Sequence, residues 1–177
     1  MGMYEAYQNI NKPTKTDEVT TMMRSLCAKR ACTQYFCAVE AEKAGLTDDT
    51  WMDTAMKQYG YDTARAIEAN MKDPGDLEEF AQNFGVGLDR DIYEMETGEQ
   101  NAKRFSLHFH YCPFVTKWIE MGVPEEQLPR LCYMAMGGDR GVGEVFEAKH
   151  GIRFTLGKTI AQGNPTCDLL FEKISDK

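Results

Sequence analysis

The 177-residue chain is short of positive charge and of histidine, and it has no long apolar run. No stretch approaches the roughly 20 consecutive apolar residues that a membrane-spanning helix needs. The first segment, MGMYEAYQNINKPTK, lacks the apolar core of a secretory signal, so a cytoplasmic protein is expected. Lys plus Arg number 20 against 28 Asp plus Glu, a formal net charge of −8. That balance disfavours nucleic acid and anionic membrane surfaces as partners. Also missing are the CxxC and HExxH spacings of zinc sites, the GxGxxG of dinucleotide binding and the GxSxG elbow of serine hydrolases.

What is present suits an ordinary packed protein. Hydrophobic residues make up 42% and charged residues 27%, and the length supports one core. The six cysteines would suggest disulfides in a short secreted chain. Without an export signal they read as reduced thiols. Charge is uneven: residues 1–100 carry 10 basic and 19 acidic side chains, residues 101–177 carry 10 and 9. A small anionic ligand therefore meets less repulsion in the C-terminal part.

Residues 1–14 read as a loose arm. Thr16 is a candidate cap for a helix that Gly45 stops, with Val19, Met22, Met23, Leu26 and Cys27 at helical spacing. Thr47 is a candidate cap for a second helix bearing Trp51, Ala55, Met56 and Tyr59. Asp73 with Pro74 suits the start of a third, whose buried face is Leu77, Phe80, Ala81 and Phe84. Residues 89–97 and 103–111 then flank Gly98-Glu99 as a hairpin. In its second strand Phe105, Leu107, Phe109 and Tyr111 alternate with Arg104, Ser106, His108 and His110. A helix follows Pro113 and stops at Gly122; another starts near Pro124 or Pro129 and runs to Gly137-Gly138. Ile152, Phe154 and Leu156 mark one late strand, and Cys167, Leu169 and Phe171 mark the last. The expected fold class is α+β, with N-terminal helices followed by an antiparallel sheet that carries a helical insertion. Residues 1–88 form the helical part and 89–177 the part bearing the later cysteines, together one compact domain.

Three groups of residues carry candidate chemistry. Cys27, Cys32 and Cys37 are spaced by five, which turns a helix by about 140° each time, so they cannot share a metal within one helix and read as packing residues. His108, His110 and Cys112 share parity. If the strand stays extended they project from one face at roughly 6–7 Å intervals. An imidazole beside a thiol can make a nucleophile or a ligand, whereas a solvated sheet face is the plainer alternative. Finally, Cys132 and Asp139 lie seven apart, nearly two helical turns, with Arg140 beside a glycine-rich break.

Several of these strings resemble one family. Tyr111-Cys112-Pro113 resembles its Cys-Pro element, Leu131-Cys132 with Asp139 matches its Cys-to-Asp spacing, and Thr159-Ile160-Ala161-Gln162-Gly163-Asn164-Pro165-Thr166-Cys167-Asp168 resembles its closing Gly-x-x-Cys motif. The sequence is thus similar, over roughly residues 90–173, to the L-2-amino-thiazoline-4-carboxylic acid hydrolases. More distantly it resembles 4-vinyl reductase-type ligand-binding domains. Leu169-Leu170 departs from the pattern where relatives often place an aromatic. The resemblance implies an α+β fold with the cysteine motifs around one site. It also implies a hydrolase acting on a C–N bond of a cyclic amidine, opening the ring to a carbamoyl-cysteine, in a family of many bacterial proteins.

On that basis the candidate catalytic residues are Cys112, His110, His108, Cys132, Cys167 and Asp139, with Arg140 or Arg104 holding a substrate carboxylate. Cys112 attacks with a histidine as base or, alternatively, a divalent metal held by histidine and thiolate supplies hydroxide. No cofactor is certain. The expected partner is a small anionic substrate, and a homodimer is one arrangement of the acidic helices. The alternative function is a non-enzymatic small-molecule-binding or thiol-sensing domain.

Overall fold

The computed structural model describes residues 3–175. Helix α1 (Met3–Ile10) replaces the expected loose arm, whose first two residues lie outside the described ones. Tertiary anchors hold so short a helix. Tyr7 is buried and its hydroxyl donates to the Ala161 carbonyl at 2.6 Å. Next come α2 (Glu18–Lys43) and α3 (Thr50–Asn70). Asp17, not Thr16, caps α2 by accepting from the Thr20 amide at 2.9 Å. Asp49, not Thr47, directly precedes α3. The third helix, α4 (Leu77–Ala81), starts later than expected because Asp76 rather than Asp73 takes its free amides, those of Glu78 and Glu79.

A one-turn helix, α5 (Leu88–Ile92), occupies the start of the expected first strand. The hairpin is β1 (Met95–Gln100) and β2 (Arg104–Phe109). Its turn falls at residues 101–103, not at Gly98-Glu99. The Asn101 side chain accepts from the amides of Lys103 and Arg104 at 2.9 and 3.0 Å and so makes the turn. Gly98 stays in the strand, where a Cβ would sit 2.5 Å from His108 Nε2. Helices α6 (Pro113–Glu120) and α7 (Leu128–Ala135) follow as expected. Gly137-Gly138 does not close that region; it opens a further helix, α8 (Gly137–His150). Strands β3 (Ile152–Leu156) and β4 (Cys167–Lys173) complete an antiparallel sheet of order β1-β2-β4-β3. None of the described helices is long and apolar enough to cross a membrane.

One sheet face carries Phe105, Leu107 and Phe109 of β2 opposite Phe171, Leu169 and Cys167 of β4, all buried. Phe80 of α4, Phe84 just beyond it and Phe146 of α8 close over it. Their ring centroids lie 4.6–4.8 Å apart in the contacts Phe80–Phe146, Phe80–Phe171 and Phe84–Phe171. Each such ring contributes roughly 1.5–3 kcal/mol by burial, so this face is the thermodynamic centre of the fold. Above it, α8 lies directly on α3. A Cβ at Gly60 would fall 2.1 Å from the Gly138 carbonyl oxygen, and one at Gly141 would fall 2.6 Å from the Lys57 carbonyl oxygen.

Gly60→Ala is therefore expected to destabilise the protein. The better helix propensity of alanine gains about 1 kcal/mol, but a methyl group against backbone cannot be accommodated by a side-chain shift. Against an overpacking cost of about 1–3 kcal/mol, the net loss should reach about 2 kcal/mol, read as a lower urea midpoint. An unchanged midpoint would mean that α3 and α8 separate freely.

Candidate functional site

The chain turns sharply after β2, and that turn decides where Cys112 goes. The amides of His110 and Tyr111 still reach the Glu94 and Tyr93 carbonyls, but the Cys112 amide is taken by Asn11 Oδ1 at 2.7 Å. Asn11 Nδ2 returns a 3.0 Å bond to the Cys112 carbonyl and another to Thr116 Oγ1. Cys112 becomes the N-cap of α6, with Pro113 at the first helical position. Its sulfur lies beside the amides of Phe114 and Val115, where the helix end favours negative charge.

Cys112 therefore leaves the face that carries His108 and His110. The shared face expected from parity does not form, because parity applies only while the strand stays extended. His108 Nδ1 pairs with Asp168 Oδ1 at 2.9 Å on the outer face of the sheet. His110 Nε2 pairs with Glu96 Oε2 at 2.9 Å and is exposed. Arg104 lies between Glu99 and Glu172 on that outer face. Arg140 points away from the site to Asp53, its guanidinium 3.7 Å from the Tyr133 ring centroid. None of these four side chains reaches the cavity described next.

Cys112, Cys132, Cys167 and Asp139 do come together. They line one cavity of about 170 Å3 between the apolar sheet face and helices α2, α3, α6, α7 and α8. Tyr93, Phe109 and Trp118 supply much of its apolar wall. Cys132 and Cys167 are buried and Cys112 is half-buried. All six cysteines are free thiols. Of the first three, Cys27 is buried and Cys32 half-buried, but Cys37 is exposed rather than packed. Among the described residues no group of three or more His, Cys, Asp or Glu side chains is placed to hold a metal ion. The cavity thiols thus share a space without forming a ligand set.

Burial governs the charge state of these groups. It pushes the Cys112 thiol up to about 11 and the Cys132 thiol up to about 12, and holds Cys167 well above the ordinary range. The Cys167 sulfur also accepts from the Ile160 amide at 3.2 Å. All three are therefore protonated at neutral pH. Burial likewise raises the Asp139 carboxyl, to about 6. Asp139 sits in the first turn of α8, and part of its surface faces the cavity. It is the group at the site that changes charge nearest to neutral pH.

Two further residues stand at the mouth, Arg30 on α2 and Asp89 on α5, both exposed. Sequence reasoning passed over them. Arg30 sits at the edge of the buried stripe of α2, and Asp89 fell within the expected first strand, so neither carried a pattern that singled it out.

The L-2-amino-thiazoline-4-carboxylic acid hydrolase family matches residues 24–171 of the chain. No curated protein matches it. Among solved structures, a trafficking protein particle complex subunit 3 from Naegleria fowleri, covalently bound to palmitic acid, superposes with a TM-score of 0.52. It is 14% identical, and the match covers 85% of this chain and 96% of that one, a likeness of fold.

Asp139 makes stability depend on pH in a definite direction. Its carboxyl holds a proton in the folded state to about pH 6, whereas the unfolded value is 3.8. Between those values the folded state binds more protons, so stability falls as pH rises. The span corresponds to about 3 kcal/mol at most. Asp139→Asn removes this cost. The variant should gain melting temperature over the parent at pH 7, and the gain should vanish near pH 4. A pH-independent difference would place Asp139 in water.

Proposed function

The chain belongs to the L-2-amino-thiazoline-4-carboxylic acid hydrolase family, and from that premise we propose that it hydrolyses a small cyclic amidine inside the thiol-lined cavity. The observation that carries this reading is the gathering of Asp139 with Cys112, Cys132 and Cys167 around one space. Its volume of about 170 Å3 suits a single small ring; about 150 Å3 is enough for benzene.

The reaction needs a group to hold the amidinium and move its protons, and a nucleophile for the carbon between sulfur and nitrogen. Asp139, ionised above about pH 6, holds the amidinium by charge-assisted hydrogen bonds. Cys112 is the nucleophile, since its sulfur is the most open of the three and lies at a helix N-terminus. The thiol adds to the amidine carbon and its proton passes to Asp139. The adduct then expels the ring nitrogen, which takes that proton. Water adds to the remaining imino dithiocarbonate carbon and expels the Cys112 sulfur, releasing the S-carbamoyl amino acid and restoring the thiol. Breaking the ring C–S bond instead gives the N-carbamoyl isomer with a free thiol, so titrating product thiol identifies the bond. The histidines take no part.

A binding domain without turnover is the second reading. It is favoured by the apolar wall and by thiols that burial keeps protonated.

Reduced protein incubated with L-2-amino-thiazoline-4-carboxylate should turn over many equivalents, with kcat/KM rising through about pH 6 as Asp139 ionises. Cys112→Ala should abolish the covalent route. Asp139→Asn should lower kcat by about 10²–10⁴-fold. His108→Ala and His110→Ala should leave it unchanged. No turnover by the parent protein favours the binding reading, and full activity of Cys112→Ala removes the covalent step.

A further inference from the structure

The cavity is electrically polarised. Asp139 is half-buried on its lining, while Arg30 is exposed at its edge. The Arg30 guanidinium carbon is 5.5 Å from the Tyr59 ring centroid and 5.7 Å from that of Phe114. These rings, from α3 and α6, also line the cavity and hold the cation over its opening. The position of Tyr59 is itself set from α8, where a Cβ on Gly138 would lie 3.2 Å from the ring. Arginine on a protein surface usually finds a carboxylate. Among the described residues Arg30 makes no ion pair and no hydrogen bond, in contrast to Arg24, Arg104, Arg130, Arg140 and Arg153. Its charge acts at a distance on the carboxylates of Asp89 and Asp139, with no direct bond to either.

We propose that Arg30 is the carboxylate anchor of the site, so that the ligand class is a small zwitterion bound with its cationic amidine inward and its carboxylate outward. This rests on the hydrolase reading and adds to it the orientation of the ligand. The guanidinium fork matches a carboxylate in a way that a lysine would not. Asp89 opposes it. Its carboxylate lies on the same rim, beyond ion-pair distance of Arg30, and repels an incoming anion. The two residues set the charge preference in opposite senses: Arg30 selects for the carboxylate and Asp89 against it.

Two ligands sharing one ring separate the possibilities, L-2-amino-thiazoline-4-carboxylate and 2-aminothiazoline, which lacks the carboxylate. Their dissociation constants are measured by calorimetry on the Cys112→Ala protein, which prevents covalent turnover. The carboxylate should bind more tightly. Arg30→Gln should weaken it roughly ten- to hundredfold, the worth of hydrogen bonds to a charged group, and leave 2-aminothiazoline unchanged. Arg30→Lys should recover part of the loss, and Asp89→Asn should tighten the carboxylate alone. A preference that survives Arg30→Gln, or equal weakening of both ligands, overturns the anchor and leaves the hydrolase reading standing. Failure of both ligands to bind overturns that reading and the anchor with it.

Discussion

The contact on which the site depends is the backbone approach of α3 and α8. Gly60 faces Gly138 and Gly141 so closely that no side chain fits between the helices. Closeness of this kind has two consequences. It fixes the first turn of α8, and with it Asp139, over the apolar sheet face. It also brings Tyr59 of α3 against Gly138, at the rim of the same cavity. A wider spacing would move the acid and the aromatic rim together. The glycines therefore act on chemistry through distance.

A second constraint is the separation of the two sheet faces. The inner face is aromatic and aliphatic, and it gives the cavity its low dielectric. In that setting a carboxyl is raised and thiols stay protonated. The outer face keeps its charges in short pairs, His108 with Asp168 and Arg104 with Glu172. Such exposed pairs are weak contributors to stability. The polar groups of the two faces thus lie on opposite sides of the sheet, and only the inner set lines the cavity.

Strands β2 and β4 were legible because their alternation is driven by burial on one side, whereas the start and turn of β1 were not. Phe105, Leu107 and Phe109 are buried, as are Cys167, Leu169 and Phe171, and the register between the two strands matches them pair by pair. The helices with clear apolar faces were legible too, to within a few residues at their caps. Helix α1 was not, because its order comes from distant partners such as the Ala161 carbonyl. Helix α8 was not, because Gly137-Gly138 breaks a helix in isolation. Here tertiary packing overrides that tendency: the space beside α3 excludes anything larger.

The same division holds for the site. Family resemblance in local strings singled out Cys112, Cys132, Cys167 and Asp139 together. Whether they met was a matter for the tertiary structure, as four separate elements supply them. The tertiary structure also places His108, His110, Arg104 and Arg140 off the cavity lining and Arg30 and Asp89 on it. Strand parity is a local rule, and it lapses where Asn11 captures the Cys112 amide and α6 begins. The direction of a charged side chain is set by its neighbours in space. For Arg140 these are Asp53 and Tyr133, and for Arg30 they are Tyr59 and Phe114. The sequence by itself determined most of the elements, apart from α1, α5 and α8, because burial pattern is written locally. Only the folded chain decided which charges face the cavity, because that depends on residues far apart along it.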